Sequence, residues 1–256
     1  MRAFLAVCAL FAAVPIASAA VPASQRDALV AVYNATGGAS WTNRTNWLGA
    51  PGTECTWFGV SCDEAQANVT GLELFENNLR GSIPAAIANL SKLRDLQLYN
   101  NHLTGALPPE LGQLTDLEDF YCGNNELTGR IPAQFGALKK LAFLSLDGNQ
   151  LVGPIPPELG DMTGLLELGL TYNLIDGAIP PQLSKLTNLT ALQLATNRLT
   201  GPIPPELALL PNLDYLGLSD NELTGAIPPQ LGNLAAIRVF GVLRVVVAHV
   251  AGQAGG

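Results

Sequence analysis

Residues 93–108 read Leu-Arg-Asp-Leu-Gln-Leu-Tyr-Asn-Asn-His-Leu-Thr-Gly-Ala-Leu-Pro, and this stretch recurs along most of the chain. Its second Asn returns every 24 residues without an insertion or deletion, at Asn77, Asn101, Asn125, Asn149, Asn173, Asn197 and Asn221. Seven units therefore cover residues 69–236, each with the pattern L-x-x-L-x-L-x-x-N-x-L-x-G-x-I-P. A fixed period in this range indicates stacked repeats, in which each unit buries its apolar side against its neighbours.

The spacing within a unit predicts its local structure. Side chains in x-x-L-x-L-x-x alternate between two faces, so the fourth and sixth positions point inward while the third, fifth and seventh face solvent. Each unit contributes one short strand, and successive strands stack in parallel about 4.8 Å apart. The Asn that follows can turn inward and satisfy backbone groups at the bend. The Gly column suits a crowded backbone or a positive φ, and the Pro column excludes a regular helix.

The motif Leu-Val-Gly-Pro-Ile-Pro-Pro-Glu-Leu-Gly at residues 151–160 resembles the plant-type leucine-rich repeat of receptor-like kinase ectodomains and polygalacturonase-inhibiting proteins. The resemblance extends over essentially all of the chain that follows residue 20. It implies an α/β horseshoe superhelix with a parallel β-sheet on the concave face, extended and 3₁₀ segments on the convex face, and a helical amino-terminal cap. We expect neither a kinase domain nor a transmembrane helix. Because one fold serves many functions, the resemblance specifies the fold more closely than the ligand.

The segment 21–68 is predicted to be the amino-terminal cap of the repeats. Its residues 24–27, Ser-Gln-Arg-Asp, have capping-box spacing and lead into an apolar stripe that stops at Gly37 and Gly38, which predicts one short helix. Cys55 and Cys62 lie seven apart, close enough for a small disulfide-closed loop. In the family that this segment resembles, such a Cys pair and aromatic residues cover the open end of the solenoid. The aromatic residues concerned are Trp41, Trp47 and Trp57, for which a sugar-binding platform is the alternative.

Both ends of the chain differ from the repeats. Residues 1–20 predict a cleaved signal peptide, because a basic residue precedes an apolar run that ends in small residues and is too short to span a membrane. The mature protein is expected to be secreted, or periplasmic or at the cell surface in a bacterium. Residues 237–256 are predicted to form a degenerate carboxyl-terminal cap or tail. They could cover the last repeat, or leave an edge that pairs with another chain.

Composition excludes two broad classes of protein. The chain is 48% hydrophobic and only 13% charged, which argues against intrinsic disorder. Its net charge of −8 disfavours binding to nucleic acid. Cys122 occupies a position that is otherwise Leu, so we expect a buried small hydrophobic residue rather than a reactive thiol.

The candidate binding residues are the variable, solvent-facing positions of the strands. In the first five units these positions bring aromatic rings together with carboxylates, which is typical of a recognition patch with a basic or hydroxyl-rich partner. Lateral packing between strands is the alternative explanation for the rings. The predicted ligand-binding residues are Glu73, Phe75, Asp95, Gln97, Tyr99, Asp119, Tyr121, Phe143, Asp147 and Glu167. Units six and seven are plainer.

Catalysis and metal binding are weighed on the same surface. Asp95 and Asp119 occupy one column of adjacent strands, where they could titrate as a pair or share a Ca²⁺ ion. However, the two histidines, His102 and His249, lie apart from them, and no nucleophile, base and orienting group come together. We therefore expect no enzymatic activity, no cofactor and no metal.

The most favoured function is recognition of a protein, peptide or glycan through the concave face, in extracellular signalling, in defence or in inhibition of a secreted hydrolase. Two alternatives stay open: a fragment of a receptor-like kinase ectodomain, and a structural protein of the cell-wall or ice-binding kind. The structural alternative needs a regular row of exposed residues. The nearest approach to one is the column formed by Thr104, Thr128, Thr200 and Thr224, which Arg80, Val152 and Asp176 interrupt.

Five N-x-S/T sequons could carry glycans if the protein passes through a eukaryotic secretory pathway. They are at Asn34, Asn43, Asn68, Asn89 and Asn188. Asn and Thr are also common in turns, so chance occurrence is a competing explanation. No stable membrane insertion is expected, and the sequence does not specify an oligomeric state.

Overall fold

The computed structural model describes residues 20–241, so the predicted signal peptide (apart from Ala20) and residues 242–256 of the predicted tail lie outside it. Helix α1 spans Ala23–Ala35. The strands that follow are β1 (Val60–Cys62), β2 (Val69–Glu73), β3 (Arg80–Gly81), β4 (Asp95–Gln97), β5 (His102–Ala106), β6 (Asp119–Tyr121), β7 (Glu126–Thr128), β8 (Phe143–Ser145), β9 (Val152–Pro154), β10 (Glu167–Gly169), β11 (Leu174–Ala178), β12 (Ala191–Gln193), β13 (Arg198–Gly201), β14 (Tyr215–Gly217), β15 (Glu222–Leu223) and β16 (Val239–Gly241). The predicted boundaries at residues 20, 68 and 236 remain predictions.

One long sheet runs the length of the solenoid in the order β1-β2-β4-β6-β8-β10-β12-β14-β16. All neighbours in it are parallel except β1 and β2, which are antiparallel. The register repeats with the sequence, so that Asp95 pairs with Asp119 and Asp119 with Phe143. The parallel sheet predicted from the spacing of the leucines is thus confirmed, and it agrees with the horseshoe that the resemblance implies.

The leucine columns form one continuous core between this sheet and the outer face. Leu96 and Leu98 of the second unit and Leu144 and Leu146 of the fourth are almost completely buried, as the alternation of side chains predicts. The core extends through all seven units without a break. Cys122 is a free thiol in this core with no exposed surface, which confirms the prediction of a buried residue.

The Asn column is buried and links successive units. The amide nitrogen of Asn125 donates hydrogen bonds to the carbonyl oxygens of Leu98 (3.0 Å) and Cys122 (3.1 Å). Its Oδ1 accepts a hydrogen bond from the backbone N–H of Leu103 at 2.9 Å. Since Leu98 and Leu103 belong to the preceding unit, one side chain joins two repeats. The predicted structural role of the column is confirmed.

The outer part of each unit is extended and then 3₁₀-helical, as predicted. The 3₁₀ segments of the repeats are Ala85–Asn89, Pro109–Gln113, Ala133–Ala137, Pro157–Asp161, Pro181–Lys185, Pro205–Leu209 and Pro229–Asn233. The extended segments pair into two further parallel sheets, β3-β5-β7 and β9-β11-β13-β15, which the sequence analysis did not anticipate. In this part of each unit the Gly column has positive φ, for example +77° at Gly105, which confirms the steric explanation of its glycines.

The amino-terminal segment packs over the first repeat through α1 and a tryptophan cluster. The predicted helix is present, but the predicted capping box is wrong. Pro22 takes the N-cap position, and its carbonyl accepts the backbone N–H groups of Gln25 and Arg26. Ser24 therefore lies inside the first turn, where it cannot cap the helix. A proline preceding the helix has its φ fixed, which sets the start of the helix without a side-chain hydrogen bond.

The tryptophans of this segment are interior residues. Trp41, Trp47 and Trp57 are buried, with ring centroids 4.8 Å apart for the first two and 4.9 Å for the last two. Burial favours the capping role over a sugar-binding platform, because the rings offer little surface to a ligand. Beside them, Arg26 lies over the Trp57 ring and forms an ion pair with buried Glu54.

Cys55 and Cys62 form the predicted disulfide. It connects the 3₁₀ turn Glu54–Thr56 to β1, the strand that begins the long sheet. Within residues 20–241, no helix combines the length and the apolar character that crossing a membrane requires.

Candidate recognition surface

The ten predicted ligand-binding residues all lie on the long sheet, within β2, β4, β6, β8 and β10 or two residues beyond their ends. Each side chain leaves the sheet on the side opposite the leucine core, since inward and outward positions alternate along a strand. Phe75 and Glu167 are exposed and the other eight are half-buried. The register of the strands brings them into one continuous area, which we call the aromatic–acidic patch. Its assignment as a binding surface remains a proposal.

Two pairs of aromatic rings form the apolar part of the patch. The rings of Phe75 and Tyr99 are parallel, with centroids 4.9 Å apart and an interplanar angle of 2°. Those of Tyr121 and Phe143 are stacked at 6.3 Å and 21°. Both the binding and the lateral-packing explanations of these rings therefore have a structural basis. Packing fixes each ring, and the exposed remainder of its surface stays accessible.

The carboxylates around these rings are held by neutral donors. Asp95 accepts a hydrogen bond from the Gln97 amide at 2.9 Å through Oδ2, while its Oδ1 is buried and makes no hydrogen bond. Asp147 accepts hydrogen bonds at 2.7 Å from the Ser145 hydroxyl and from the backbone N–H of Thr171. No Lys or Arg side chain forms an ion pair with either group among residues 20–241.

Burial and the repulsion between neighbouring carboxylates disfavour the charged forms of the acids in the patch. Burial raises the pKa of the Asp95 carboxyl above its ordinary value, and the carboxylates of Glu73 and Asp119 raise it further, against the hydrogen bond from Gln97. Burial also raises the pKa of Asp119, with Glu118 adding to the shift. The pKa of the Tyr121 hydroxyl is raised by burial and then by nearby carboxylates. A positively charged group brought to this surface would relieve the repulsion.

Small residues shape the patch in a way that the sequence analysis missed. It treated every third, fifth and seventh strand position as solvent-facing, but Gly71, Gly123, Gly169, Ala191 and Gly217 are buried. Larger side chains beside these glycines cover the backbone: Ser145 next to Gly123 and Asp147 next to Gly169 come from the adjacent unit, and Tyr215 next to Gly217 from the same strand. Recessed areas consequently form between the larger residues. The signal available in the sequence was the interruption of an aromatic column, where Gly123 follows Phe75 and Tyr99 at the seventh position.

Asp95 and Asp119 are the two carboxylates for which a shared Ca²⁺ ion was considered. Asp95 and Asp119 face each other across β4 and β6, but no group of three His, Cys, Asp or Glu side chains suited to a metal ion occurs among residues 20–241. His102 lies on β5 of the outer sheet, 3.4 Å from Glu126, well separated in the fold from this pair. His249 lies outside the described residues.

The asparagines of the five sequons differ in their exposure and in the hydrogen bonds of their side chains. Asn34 on α1 and Asn89 in a 3₁₀ segment are exposed. Asn188 is exposed too, but it donates a hydrogen bond to the Thr163 carbonyl at 2.9 Å. The Asn68 amide donates to Asp63 at 2.7 Å, and Asn43 accepts hydrogen bonds from Thr45. The amide nitrogen that would carry a glycan is thus engaged at Asn68 and Asn188, so Asn34 and Asn89 are the more accessible candidates.

The threonine column of the outer sheets is exposed but interrupted. Thr104, Thr128, Thr200 and Thr224 all face solvent, and so do Arg80, Val152 and Asp176 between them. Charged and branched residues within the row leave no flat, uniform array of hydroxyl groups.

Comparison with known proteins identifies the repeats. A family model described as Leucine Rich Repeat matches residues 92–114, 140–162, 188–210 and 212–234. No curated protein sequence gives a significant match. Among solved structures, a pollen receptor kinase 3 is 32% identical with a TM-score of 0.62, the alignment covering 70% of this chain and 86% of that one. A plant ice-binding protein is 24% identical with a TM-score of 0.65, and that likeness concerns the fold alone.

Two receptor structures are similar over part of their length. The LRR ectodomain of the Arabidopsis thaliana receptor kinase GASSHO1/SCHENGEN3, in complex with CASPARIAN STRIP INTEGRITY FACTOR 2, is 33% identical with a TM-score of 0.75, covering 87% of this chain and 30% of that one. The plant peptide hormone receptor RGFR1, in complex with RGF2, is 39% identical with a TM-score of 0.68, covering 69% and 28%. This chain thus spans less than a third of either receptor chain. By its repeats and its fold, the chain belongs to the leucine-rich-repeat family and is of the kind found in plant receptor-kinase ectodomains.

Proposed function

We propose that this chain is an extracellular recognition module that binds a protein or peptide through its aromatic–acidic patch, without catalysing a reaction. The observation that carries the proposal is a group of stacked, partly exposed rings beside carboxylates that have no cationic partner among residues 20–241, all on a hydrogen-bonded sheet. Rigid rings supply contact area at low entropic cost, and unneutralised carboxylates select a basic partner. The protein would act by binding its partner on this surface, without a change between two conformational states.

Two further observations support a protein or peptide ligand. Among the similar structures, RGFR1 is named as a plant peptide hormone receptor in complex with RGF2, and GASSHO1/SCHENGEN3 is in complex with CASPARIAN STRIP INTEGRITY FACTOR 2. The long sheet also presents an extended, shallow surface rather than an enclosed cleft, which suits an extended chain better than a small molecule. A role in signalling, in defence or in inhibition of a hydrolase would follow from the identity of the partner. A glycan ligand is a second outcome of the same test.

The test is capture of partners from the native extracellular fluid. The full chain, a Tyr121→Ala/Phe143→Ala variant and a Tyr215→Ala variant are used as baits, with bound proteins and glycans identified by mass spectrometry. Tyr215 is the matched control, because it is an exposed ring on the same sheet but lies outside the patch. A partner retained by the full chain and by the Tyr215 variant, but lost by the folded double variant, would support the proposal. Equal capture by all three baits would refute it.

Secretion is part of the proposal and has its own test. Expression from Met1 in a secretory host, followed by amino-terminal sequencing of the protein in the medium, is expected to give a chain that begins at Val21. Retention of the intact chain inside the cell would contradict the predicted signal peptide.

A further inference from the structure

A recess about 440 Å³ in volume lies within the aromatic–acidic patch, between the ends of β4, β6 and β8. We call it the Asp147 pocket. Its lining residues are Gln97, Tyr99, Tyr121, Gly123, Asn124, Ser145 and Asp147. A smaller recess of about 190 Å³ adjoins it, sharing Tyr121, Ser145 and Asp147 and adding Glu167. Asp147 therefore stands between two neighbouring recesses.

The pocket exists because two glycines omit side chains. At the seventh position of their units, Phe75 and Tyr99 carry rings whereas Gly123 carries none. A Cβ at residue 123 would lie 3.1 Å from the Ser145 hydroxyl oxygen and 3.2 Å from the Asp147 carbonyl oxygen, inside the recess. At Gly169 a Cβ would collide with the Asp147 carboxylate. Gly123 thus leaves the bottom of the recess empty, and Gly169 leaves the space that the Asp147 carboxylate occupies.

Asp147 is fixed in orientation by two neutral hydrogen-bond donors. One carboxylate oxygen accepts a hydrogen bond from the backbone N–H of Thr171 and the other from the Ser145 hydroxyl, both at 2.7 Å. Both donors are neutral, so they orient the group without cancelling its negative charge. The residues that line the two recesses include Glu167 as a second acid and no Lys, Arg or His.

Tyrosine rings supply the other wall. One face of the Tyr99 ring stacks on Phe75, and the position next to its other face belongs to Gly123, which has no side chain to cover it. Tyr121 is likewise supported on one side by Phe143. Aromatic faces attract cations, and arginine is found over them more often than lysine. Its planar guanidinium also binds carboxylates through parallel hydrogen bonds. Asp147 and the two rings therefore converge on one kind of ligand group.

We infer that the Asp147 pocket binds the guanidinium group of an arginine side chain in the protein or peptide ligand. The inference rests on the proposed function, since it names the ligand group for the same surface. Arginine fits better than lysine, because a flat guanidinium can lie against a ring while donating hydrogen bonds to the carboxylate. The ligand would contact the sheet along its length and place this one side chain in the recess.

The test uses two capped pentapeptides, acetyl-Gly-Gly-Arg-Gly-Gly-amide and the same peptide with citrulline in place of arginine. Citrulline keeps the shape of arginine without the charge. The full chain, labelled with ¹⁵N, is titrated with each peptide while its backbone amide signals are followed by NMR. The arginine peptide is expected to shift the amide signals of Thr171 and Ser145, and to bind about tenfold more tightly than the citrulline peptide.

Three variants locate the effect. Asp147→Asn removes the charge, and Gly169→Ala displaces the carboxylate without changing the net charge. Both are expected to weaken binding of the arginine peptide about tenfold. Asp176→Asn is the matched control, because it removes an exposed carboxylate from β11 on the outer sheet. The Asp176→Asn variant should bind the arginine peptide with the same affinity as the unmodified chain. The urea midpoint of each variant shows that it is folded, and Gly169→Ala keeps the inference testable if Asp147→Asn fails to fold.

Each remaining outcome decides against the inference. It is overturned if both peptides bind equally, if Asp147→Asn and Asp176→Asn behave alike, or if the arginine peptide does not bind. Failure here is separable from failure of the proposed function. A partner captured through Tyr121 and Phe143, together with no arginine binding, would leave the recognition surface standing and remove only the arginine pocket.

Discussion

Asn149 makes four hydrogen bonds from one buried side chain. Its amide nitrogen donates to the carbonyl oxygens of Leu146 (3.0 Å), Cys122 (3.1 Å) and Asp147 (3.3 Å), and its Oδ1 accepts from the backbone N–H of Leu127 at 3.0 Å. Two of these partners lie in the preceding unit. Because these backbone groups are largely buried, loss of the side chain would leave them without a hydrogen-bond partner.

Replacing Asn149 by Ala is expected to lower the free energy of unfolding by roughly 1–3 kcal/mol. Urea denaturation measures the change. Gln150→Ala is the matched control, since it removes an exposed amide from the next residue and should alter stability little. An unchanged urea midpoint for Asn149→Ala would contradict the view that the hydrogen bonds of this side chain stabilise the fold.

At Asp95 the proposed recognition role and stability make opposite demands on the charge of the carboxyl group. Its folded-state pKa is raised, mainly by burial, so the protonated carboxyl is favoured by folding and the charged form is disfavoured. Its contribution to stability is therefore greatest below the ordinary pKa of 3.8 and is lost as the pH rises through the higher folded-state pKa. At neutral pH the charged group opposes folding.

Asp95→Asn is expected to raise the free energy of unfolding at pH 7, with a difference from the unmodified chain that shrinks as the pH falls towards 3.8. Urea midpoints at both pH values measure it. Asp63→Asn should act with the opposite sign at pH 7, because hydrogen bonds from the Asn68 side chain and the Ala67 backbone lower the pKa of Asp63. A difference for Asp95→Asn that did not depend on pH would refute this account.

Individual residues also show what the sequence can predict. The Asn column and Cys122 were assigned correctly, because each position repeats and its chemistry fits a single environment. The Asp147 pocket was not foreseen. Glycine carries no side chain from which to infer a contact. The recess at Gly123 is formed by the height to which the Tyr99 and Ser145 side chains extend above the sheet beside it. Such heights follow from the rotamers of the folded chain.

At the scale of elements, the amino-terminal cap depends on a covalent link. The Cys55–Cys62 disulfide ties the turn beneath the tryptophan cluster to β1, which is the only antiparallel strand of the long sheet among residues 20–241. A bond that closes a loop of this length restricts the unfolded chain and stabilises the folded one by about 2.5 kcal/mol in the chain-entropy model.

A Cys55→Ser/Cys62→Ser variant is expected to be less stable by about that amount, as measured by urea denaturation. Reductant supplies the control, because it should lower the midpoint of the unmodified chain and leave that of the variant unchanged. Identical midpoints for the unmodified chain and the variant under oxidising conditions would contradict a stabilising role for the bond.

Some secondary-structure elements could be predicted from the sequence, whereas others could not. The long sheet followed from the period of the leucines, and the outer segments from glycine and proline. Pairing of those outer segments into β3-β5-β7 and β9-β11-β13-β15 was missed, since it depends on how closely successive units approach on the outer face. The start of α1 was missed for another reason. Pro22 competes with the Ser24 capping signal, and spacing alone does not weigh one against the other.

The whole molecule behaves as a nearly one-dimensional stack. Each unit contacts mainly the units on either side, so stability is carried by neighbouring interfaces. In the last part of the described chain, two apolar side chains at core positions are exposed: Ile227 by 45% and Phe240 by 38%. Interior units have no such exposure of their core positions.

Native-state hydrogen exchange is expected to show less protection in unit seven (residues 213–236) than in unit four (residues 141–164). Local opening costs less where fewer apolar contacts are lost. Mass spectrometry of peptic fragments measures the difference, and unit three (residues 117–140) should match unit four as an interior reference. Equal protection of units four and seven would contradict a stack that opens from this end.

The unbroken 24-residue register also bears on how such a surface can change over generations. A gene segment that encodes one unit begins and ends at equivalent points of the Leu and Asn columns. Unequal crossing-over between two units therefore joins the first part of one unit to the second part of another at an equivalent position. The encoded protein gains or loses whole units, each with its strand, and the 24-residue pattern is preserved where the units are joined. The length of the proposed binding surface becomes a heritable quantity that varies in steps of one strand, independently of the side chains at its variable positions.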